Sequence, residues 1–222
     1  MSSAVQVVIR TRPTASFAAD QILVDPDGRS LSVRMPNSHT SNAQDSWSWK
    51  YDGVLHNASQ ETVYAERVAP VVQSVLQGFN GTVMNYGQTG TGKTFTQVGP
   101  VGGGDFKLRG ITPRALADIF AYENEHPQLE CIVSVSYLEI YQDTFIDLLS
   151  TLPSATPIDD PLKLVEDAKG AASVRNLRIA QVRSEEEALQ LLFEGMTNRQ
   201  VANHQLNRNS TRGHAIFTVH IR

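Results

Sequence analysis

Thr82-Val83-Met84-Asn85-Tyr86-Gly87-Gln88-Thr89-Gly90-Thr91-Gly92-Lys93-Thr94 is the stretch whose reading decides the fold. Gly87 to Thr94 fits G-x-x-x-x-G-K-[ST], and each residue type in that pattern has a physical task. Glycines let successive backbone N–H groups turn inward around an anion with no Cβ in the way. A helix opening after Gly92 adds free N–H donors and a favourable dipole. Lys93 is placed to reach the β- and γ-phosphates. The Thr94 hydroxyl completes a Mg²⁺ shell otherwise made of water and phosphate oxygens. Gly87, Gln88, Thr89, Gly90, Thr91, Gly92, Lys93 and Thr94 therefore read as a triphosphate-binding loop, with Lys93 also catalytic and Thr94 a metal ligand. Chance produces this pattern in roughly one chain in a hundred of this length, so a merely flexible Gly/Thr loop is the poorer reading. Thr82 to Tyr86 reads as a short buried strand entered through an Asn80-Gly81 turn.

Upstream, Asn57-Ala-Ser-Gln60 has the capping-box pattern of a helix start. Val63, Arg67-Val68, Val71-Val72 and Val75-Leu76 then recur at helical spacing, Pro70 should kink that helix, and Gly78 should cap it. Val5 to Ile9 reads as a strand buried on both faces, stopped by Arg10-Thr-Arg12-Pro13. Ile22–Val24 and Ser30–Val33 alternate around Asp25-Pro-Asp-Gly28, which reads as a hairpin. Pro36 to Ser46 is a polar loop. The two indoles of Trp47-Ser-Trp49-Lys-Tyr51 face one side, either to pack or to stack on a ligand.

Downstream, Gly99-Pro100 and Gly102-Gly-Gly104 keep the helix after Thr94 brief. Thr112-Pro113 opens a helix through about Tyr122. Glu130 to Glu139 reads as a long strand, followed by a segment from Asp143 to Leu149 and a Pro/Ser/Thr loop from Ser150 to Pro161. Leu162–Val165 and Ser173–Ile179 read as strands across an Asp167-Ala-Lys-Gly170 turn. Ser184-Glu-Glu-Glu187 is a second capping box, and its helix turns Ala188, Leu191-Leu192 and Met196 inward as far as about Ala202. Asn203 to Gly213 is polar and irregular, and Ala215 to Ile221 is a closing strand.

The 222 residues, 41% of them hydrophobic, suffice for one sizeable core without a repeat or interdomain linker. The net charge of −4 gives no global signal for nucleic acid or an anionic membrane. The single cysteine, Cys131, excludes an internal disulfide framework and reads as a small buried filler. With no secretory leader or membrane-length apolar run in the sequence, a reducing, cytoplasmic location is expected, and the three Asn-x-Ser/Thr strings read as turn chemistry.

Taken together, these motifs resemble the N-terminal part of a kinesin motor domain. Arg10-Thr-Arg12-Pro13 is similar to the family's adenine-side motif, and Gly78-Phe-Asn-Gly81-Thr82 to its run into the phosphate loop. Arg109-Gly-Ile-Thr-Pro113-Arg114 resembles the next helix start, and Ser136-Tyr-Leu-Glu-Ile-Tyr141 with Asp147-Leu-Leu149 the long strand and its sequel. Asn207-Arg-Asn-Ser210-Thr211-Arg212-Gly213-His214 resembles the first switch loop. Trp47 to Leu55, Leu149 to Pro153 and Phe193-Glu-Gly195 with Thr197-Asn-Arg199 resemble the ninth kinesin family, which is associated with cilia and flagella. The implied fold is an α/β P-loop NTPase with a central mixed sheet flanked by helices, all of 1–222 forming part of one motor domain.

The resemblance implies an ATPase that uses ATP and Mg²⁺ and generates force on microtubules (tubulin). It implies no nucleic-acid or membrane partner, a homodimer through regions absent from this sequence, and a place on the cytoskeleton of the cilium or flagellum. Arg10 and Pro13 would border the adenine, with Phe95 either stacking on it or packing its own helix. Asn207 would join the nucleotide contacts. Ser210, Thr211 and Arg212 would be catalytic, closing on the γ-phosphate, with Thr211 a second Mg²⁺ ligand.

Several departures qualify the expectation. The family's second switch, a strand ending in Asp-Leu-Ala-Gly, does not occur in these 222 residues, so the chain reads as truncated before it. Asp167 to Gly170 is a poor substitute, because it precedes the first switch. Gly213 stands where the family usually has Ser, which suggests a looser switch. The competing reading is a nucleotide-binding or interaction module without turnover. An unrelated GTPase or small-molecule kinase is disfavoured by the absence of Asn-Lys-x-Asp and of an Arg-rich lid.

Overall fold

Asp27 organises the first hairpin. Its carboxylate accepts the N–H groups of Arg29 and Ser30 at 2.8 Å each, and also the Ser30 hydroxyl. These bonds favour the ionised form and hold the Asp27 carboxyl below its ordinary value. The turn sets the register of β2 (Ile22–Val24) on β3 (Ser30–Arg34), and β4 (Ser46–Lys50) adds antiparallel to β3. Trp47 lies opposite Val33 and Trp49 opposite Leu31, so the indoles share a face as read. The computed structural model describes residues 5–35, 46–100, 105–150, 160–206 (backbone only from 201) and 213–222.

These residues divide into two compact units, Met1–Arg114 and Ala115–Arg222. In the first unit, β1 (Val8–Arg10) runs parallel to β5 (Gly53–Leu55). The doubly buried strand expected at Val5–Ile9 does not form. Only three residues pair, and Val5 and Val7 are 88% and 49% exposed.

Ser59 caps α1 (Gln60–Val63), its Oγ accepting the Thr62 N–H at 3.0 Å. The expected kink at Pro70 takes a definite form. A π-turn over Tyr64–Val68 precedes α2 (Ala69–Leu76). Pro70 has no N–H to give and its ring crowds the carbonyl four residues back, so the wider turn absorbs the misfit. Gly78 ends α2 at φ 95°, with its own N–H on Val75 O (2.9 Å) and the Phe79 N–H on Ser74 O (3.1 Å). That pair of bonds satisfies two orphan carbonyls of the last turn.

The expected buried strand at Thr82–Tyr86 is overturned. Those residues join no ladder among the described strands, and Met84 and Tyr86 are 79% and 91% exposed. An apolar run is a strand only when a neighbour supplies hydrogen bonds, and no described strand does so. The described strands lie in four sheets, one of them the parallel pair of the first unit and the others antiparallel. The brief helix expected after Thr94 is α3 (Lys93–Gln97), and α4 spans Ile111–Glu125.

The second unit is built on β6 (Val133–Tyr141). One edge pairs along its length with β11 (His214–Ile221); the other is shared by β7 (Thr144–Asp147) and β10 (Ala180–Val182), all antiparallel. Ser184 Oγ caps α5 (Glu185–Leu206) through the Glu187 N–H, and Glu187 reaches back to the Arg183 N–H at 2.7 Å. Ala188, Leu192 and Met196 turn inward with Val133, Val135 and Val182, while Leu191 is only half-buried. Cys131 is also half-buried, not the buried filler expected. β8 (Lys163–Glu166) and β9 (Ala172–Arg175) form a hairpin whose turn is held by Asp167 Oδ1, on the N–H groups of Lys169 and Ala171. Asp167 is therefore occupied as a turn residue.

Candidate nucleotide site

The loop before α3 has the backbone that its glycines allow. Gly87, Gly90 and Gly92 sit at φ 154°, 84° and 98°, and the last is the residue from which α3 starts. A Cβ on Gly87 would stand 2.7 Å from Thr91 Oγ1, so a side chain there would displace the hydroxyl that bonds Gln88 O. Thr91 Oγ1 donates to Gln88 O at 2.8 Å, and Arg12 Nη1 donates to Gly90 O at 3.1 Å. Lys93 bends back across the loop, its Nζ donating to Gly87 O and Gln88 O at 2.8 Å each. The ammonium is thus held at the mouth of the glycine turn.

A cleft opens beside this loop, wholly within the first unit. Its lining brings together Arg10, Pro13, Thr91, Gly92, Lys93 and Phe95 of the residues expected at the site. It also includes Val8, Arg12, Met84, Asn85, Tyr86 and Thr96, which sequence reasoning had not assigned to it. Arg12 carried a signal, since it sits inside the Arg10–Pro13 motif; Thr96 carried none. Gly87, Gln88, Thr89, Gly90 and Thr94 belong to the loop without lining the cleft. Asn207, Ser210, Thr211 and Arg212 lie outside the described residues.

The wall at the Arg10 end is pre-arranged. The Arg10 guanidinium carbon is 6.0 Å from the centroid of the Phe95 ring, a cation–π distance, and Phe95 is 37% exposed. Burial pushes the Arg10 pKa down from its ordinary value, yet a guanidinium remains protonated at any working pH. Asn85 Nδ2 donates to Gln97 Oε1 at 2.7 Å, and Gln97 Nε2 to Thr112 Oγ1 at 2.8 Å, which fixes the far end of α3. A cation, a tight glycine turn and an aromatic-edged cleft together suit a phosphorylated ligand with a flat base.

A family model described as the kinesin motor domain matches residues 10–222. The chain belongs to the kinesin motor domain family. Its fold is accordingly the P-loop NTPase fold of that family. The chain is 44% identical over 221 residues to the mouse (Mus musculus) "Kinesin-like protein KIF9", a match that covers 98% of the chain and 28% of that protein. The human (Homo sapiens) protein of the same name is 43% identical over the same shares. The "Kinesin-like protein KLP1" of Chlamydomonas reinhardtii is 42% identical over 225 residues, covering 100% of the chain and 28% of that protein. The resemblance to the ninth kinesin family is thereby borne out. This kinesin chain spans a little over a quarter of the length of these relatives.

Proposed function

We propose that this chain is the ATP-binding portion of one microtubule-based motor domain, which couples ATP hydrolysis to force along microtubules. The observation that carries the proposal is the juxtaposition of the Lys93-covered glycine turn with the Arg10–Phe95 wall in a single cleft. The glycine turn and Lys93 would hold the triphosphate, and the wall would hold the adenine. Thr94, a hard oxygen donor, would take Mg²⁺, which supplies neutralisation of phosphate charge when bound. Asn207, Ser210, Thr211 and Arg212 complete the proposed site on the strength of family resemblance.

The same reading gives tubulin as the partner and the cytoskeleton of cilia or flagella as the location, supported by the likeness to the KIF9 and KLP1 proteins. It includes no nucleic-acid or membrane partner, and dimerisation through other parts of the protein. The test is steady-state ATP turnover of the full-length protein with and without microtubules. Stimulation is expected; turnover that microtubules leave unchanged would favour a nucleotide-binding module instead.

A further inference from the structure

Gln60 is 4% exposed and is not part of the cleft's lining, yet it bonds to both Arg10 and Phe95, which line the cleft's base end. Its Oε1 accepts from Arg10 Nη1 at 2.7 Å. Its Nε2 donates to Phe95 O at 2.5 Å and to Leu108 O at 3.1 Å. Both amide hydrogens and the amide oxygen are thus engaged. The bond to Phe95 O has a local reason. In a longer helix that carbonyl would take the Gly99 N–H, but this amide goes to Thr94 O at 3.4 Å as α3 ends. Gln60 therefore caps α3 from another element.

Arg10 is held from three sides. Besides Gln60 Oε1, Nη1 donates to Thr96 Oγ1 at 2.8 Å and Nη2 to Ala58 O at 3.2 Å. Without Gln60 the guanidinium would lose its shortest contact, and Phe95 would lose the bond that fixes its backbone. A long side chain that must be immobilised when a ligand arrives weakens that ligand by up to about tenfold.

We infer that Gln60 is a positioning residue for the base end of the nucleotide: it holds Arg10 and Phe95 as a preformed wall and has no role at the phosphates. This rests on the nucleotide-binding reading above. A neutral amide suits the place, because one atom must accept from a cation while the other donates to two carbonyls. A carboxylate would serve Arg10 but face Phe95 O and Leu108 O without a donor.

The test compares Mg·ATP with Mg·tripolyphosphate, which carries phosphates and no base, in equilibrium titrations of the full-length protein. In Gln60→Met the ATP dissociation constant should rise about tenfold while that of tripolyphosphate stays within about twofold. The same substitution on an Arg10→Ala background should add little to the loss. Gln60→Glu, which keeps the acceptor facing Arg10 but sets a carboxylate against Phe95 O and Leu108 O, should weaken ATP by about threefold to fivefold with tripolyphosphate unchanged; it carries the test if the methionine variant does not fold, and an unchanged ATP affinity in it would then overturn the inference. Equal weakening of both ligands by either variant, unchanged ATP affinity in Gln60→Met, or full additivity with Arg10→Ala would overturn the inference. If neither ligand binds the unmodified protein, it is the nucleotide-binding reading itself that fails.

Discussion

Gln60 in the first unit and Glu139 in the second are both nearly sealed from solvent, at 4% and 1% exposure, but they are satisfied by different means. Gln60 is neutral and distributes its bonds over Arg10 and two backbone carbonyls. Glu139 is ionic: its Oε1 accepts from Arg199 Nε at 2.8 Å, and Arg199 Nη2 donates onward to Gly213 O at 2.6 Å. Removing one partner from the amide orphans a single polar group. Removing the arginine orphans a charge, which costs far more. The β6 region should therefore be brittle and the nucleotide region tolerant, so that stability and ligand binding can be perturbed separately.

The largest expected effect follows directly. Arg199→Met should lower unfolding stability by about 3 kcal/mol, read from urea denaturation, with the paired change Glu139→Met recovering most of it. A loss below about 1 kcal/mol would mean that Glu139 finds water, and the contrast with Gln60 would vanish. Gly213→Ser comes next. Gly213 is outside the left-handed region, so its freedom is not what matters there. A Cβ on it would instead collide with Glu139 Oε1. The serine should cost about 1–3 kcal/mol through overpacking, and a neutral change there would show that the Glu139 carboxylate can move aside.

In the first unit, Gly78→Ala forces a Cβ into φ 95° and should cost about 1 kcal/mol, measured as a shift in the urea midpoint. Its effect on Mg·ATP affinity should be negligible; a large one would tie α2 to the cleft. The smallest effect is a pH dependence in the second unit. Burial, with a lesser push from the Arg222 charge, lowers the His220 pKa below 6.5 while Ser136 Oγ shares a hydrogen bond with Nε2 at 3.0 Å. The unfolded chain then binds more protons than the folded one just below that value, so stability is full above about pH 6.5 and declines as pH falls through the lowered value. His220→Gln should flatten that part of the curve, and an unaltered slope would assign it to other groups.

The features legible in the sequence are those set by neighbours in the chain. The glycine turn before α3, the Ser184 cap, the Gly78 stop and the Asp25–Gly28 hairpin each depend on a few consecutive residues, and each forms; the helix start read at Asn57–Gln60 also forms, but with Ser59 as its cap in place of Asn57. Features set by distant partners were hidden or misread. Thr82–Tyr86 has strand composition, but pairing needs a neighbour that no local pattern supplies. β10 begins just past the Ser173–Ile179 run that reads as a strand, because its bounds are set by pairing with β6. Gln60 was visible only as part of a capping box, while its engagement with Arg10 crosses 50 positions and that with Phe95 crosses 35. Glu139 and Arg199 lie 60 apart, on a strand and a helix whose periodicities say nothing of each other.

The account stands most directly on Lys93. Lys93→Ala in the full-length protein, titrated with a fluorescent ATP analogue in the presence of Mg²⁺, should weaken binding by about a hundredfold or more, because a desolvated cation on the phosphates is lost. An affinity equal to that of the unmodified protein would contradict the assignment of Gly87 to Thr94 as the phosphate-binding loop.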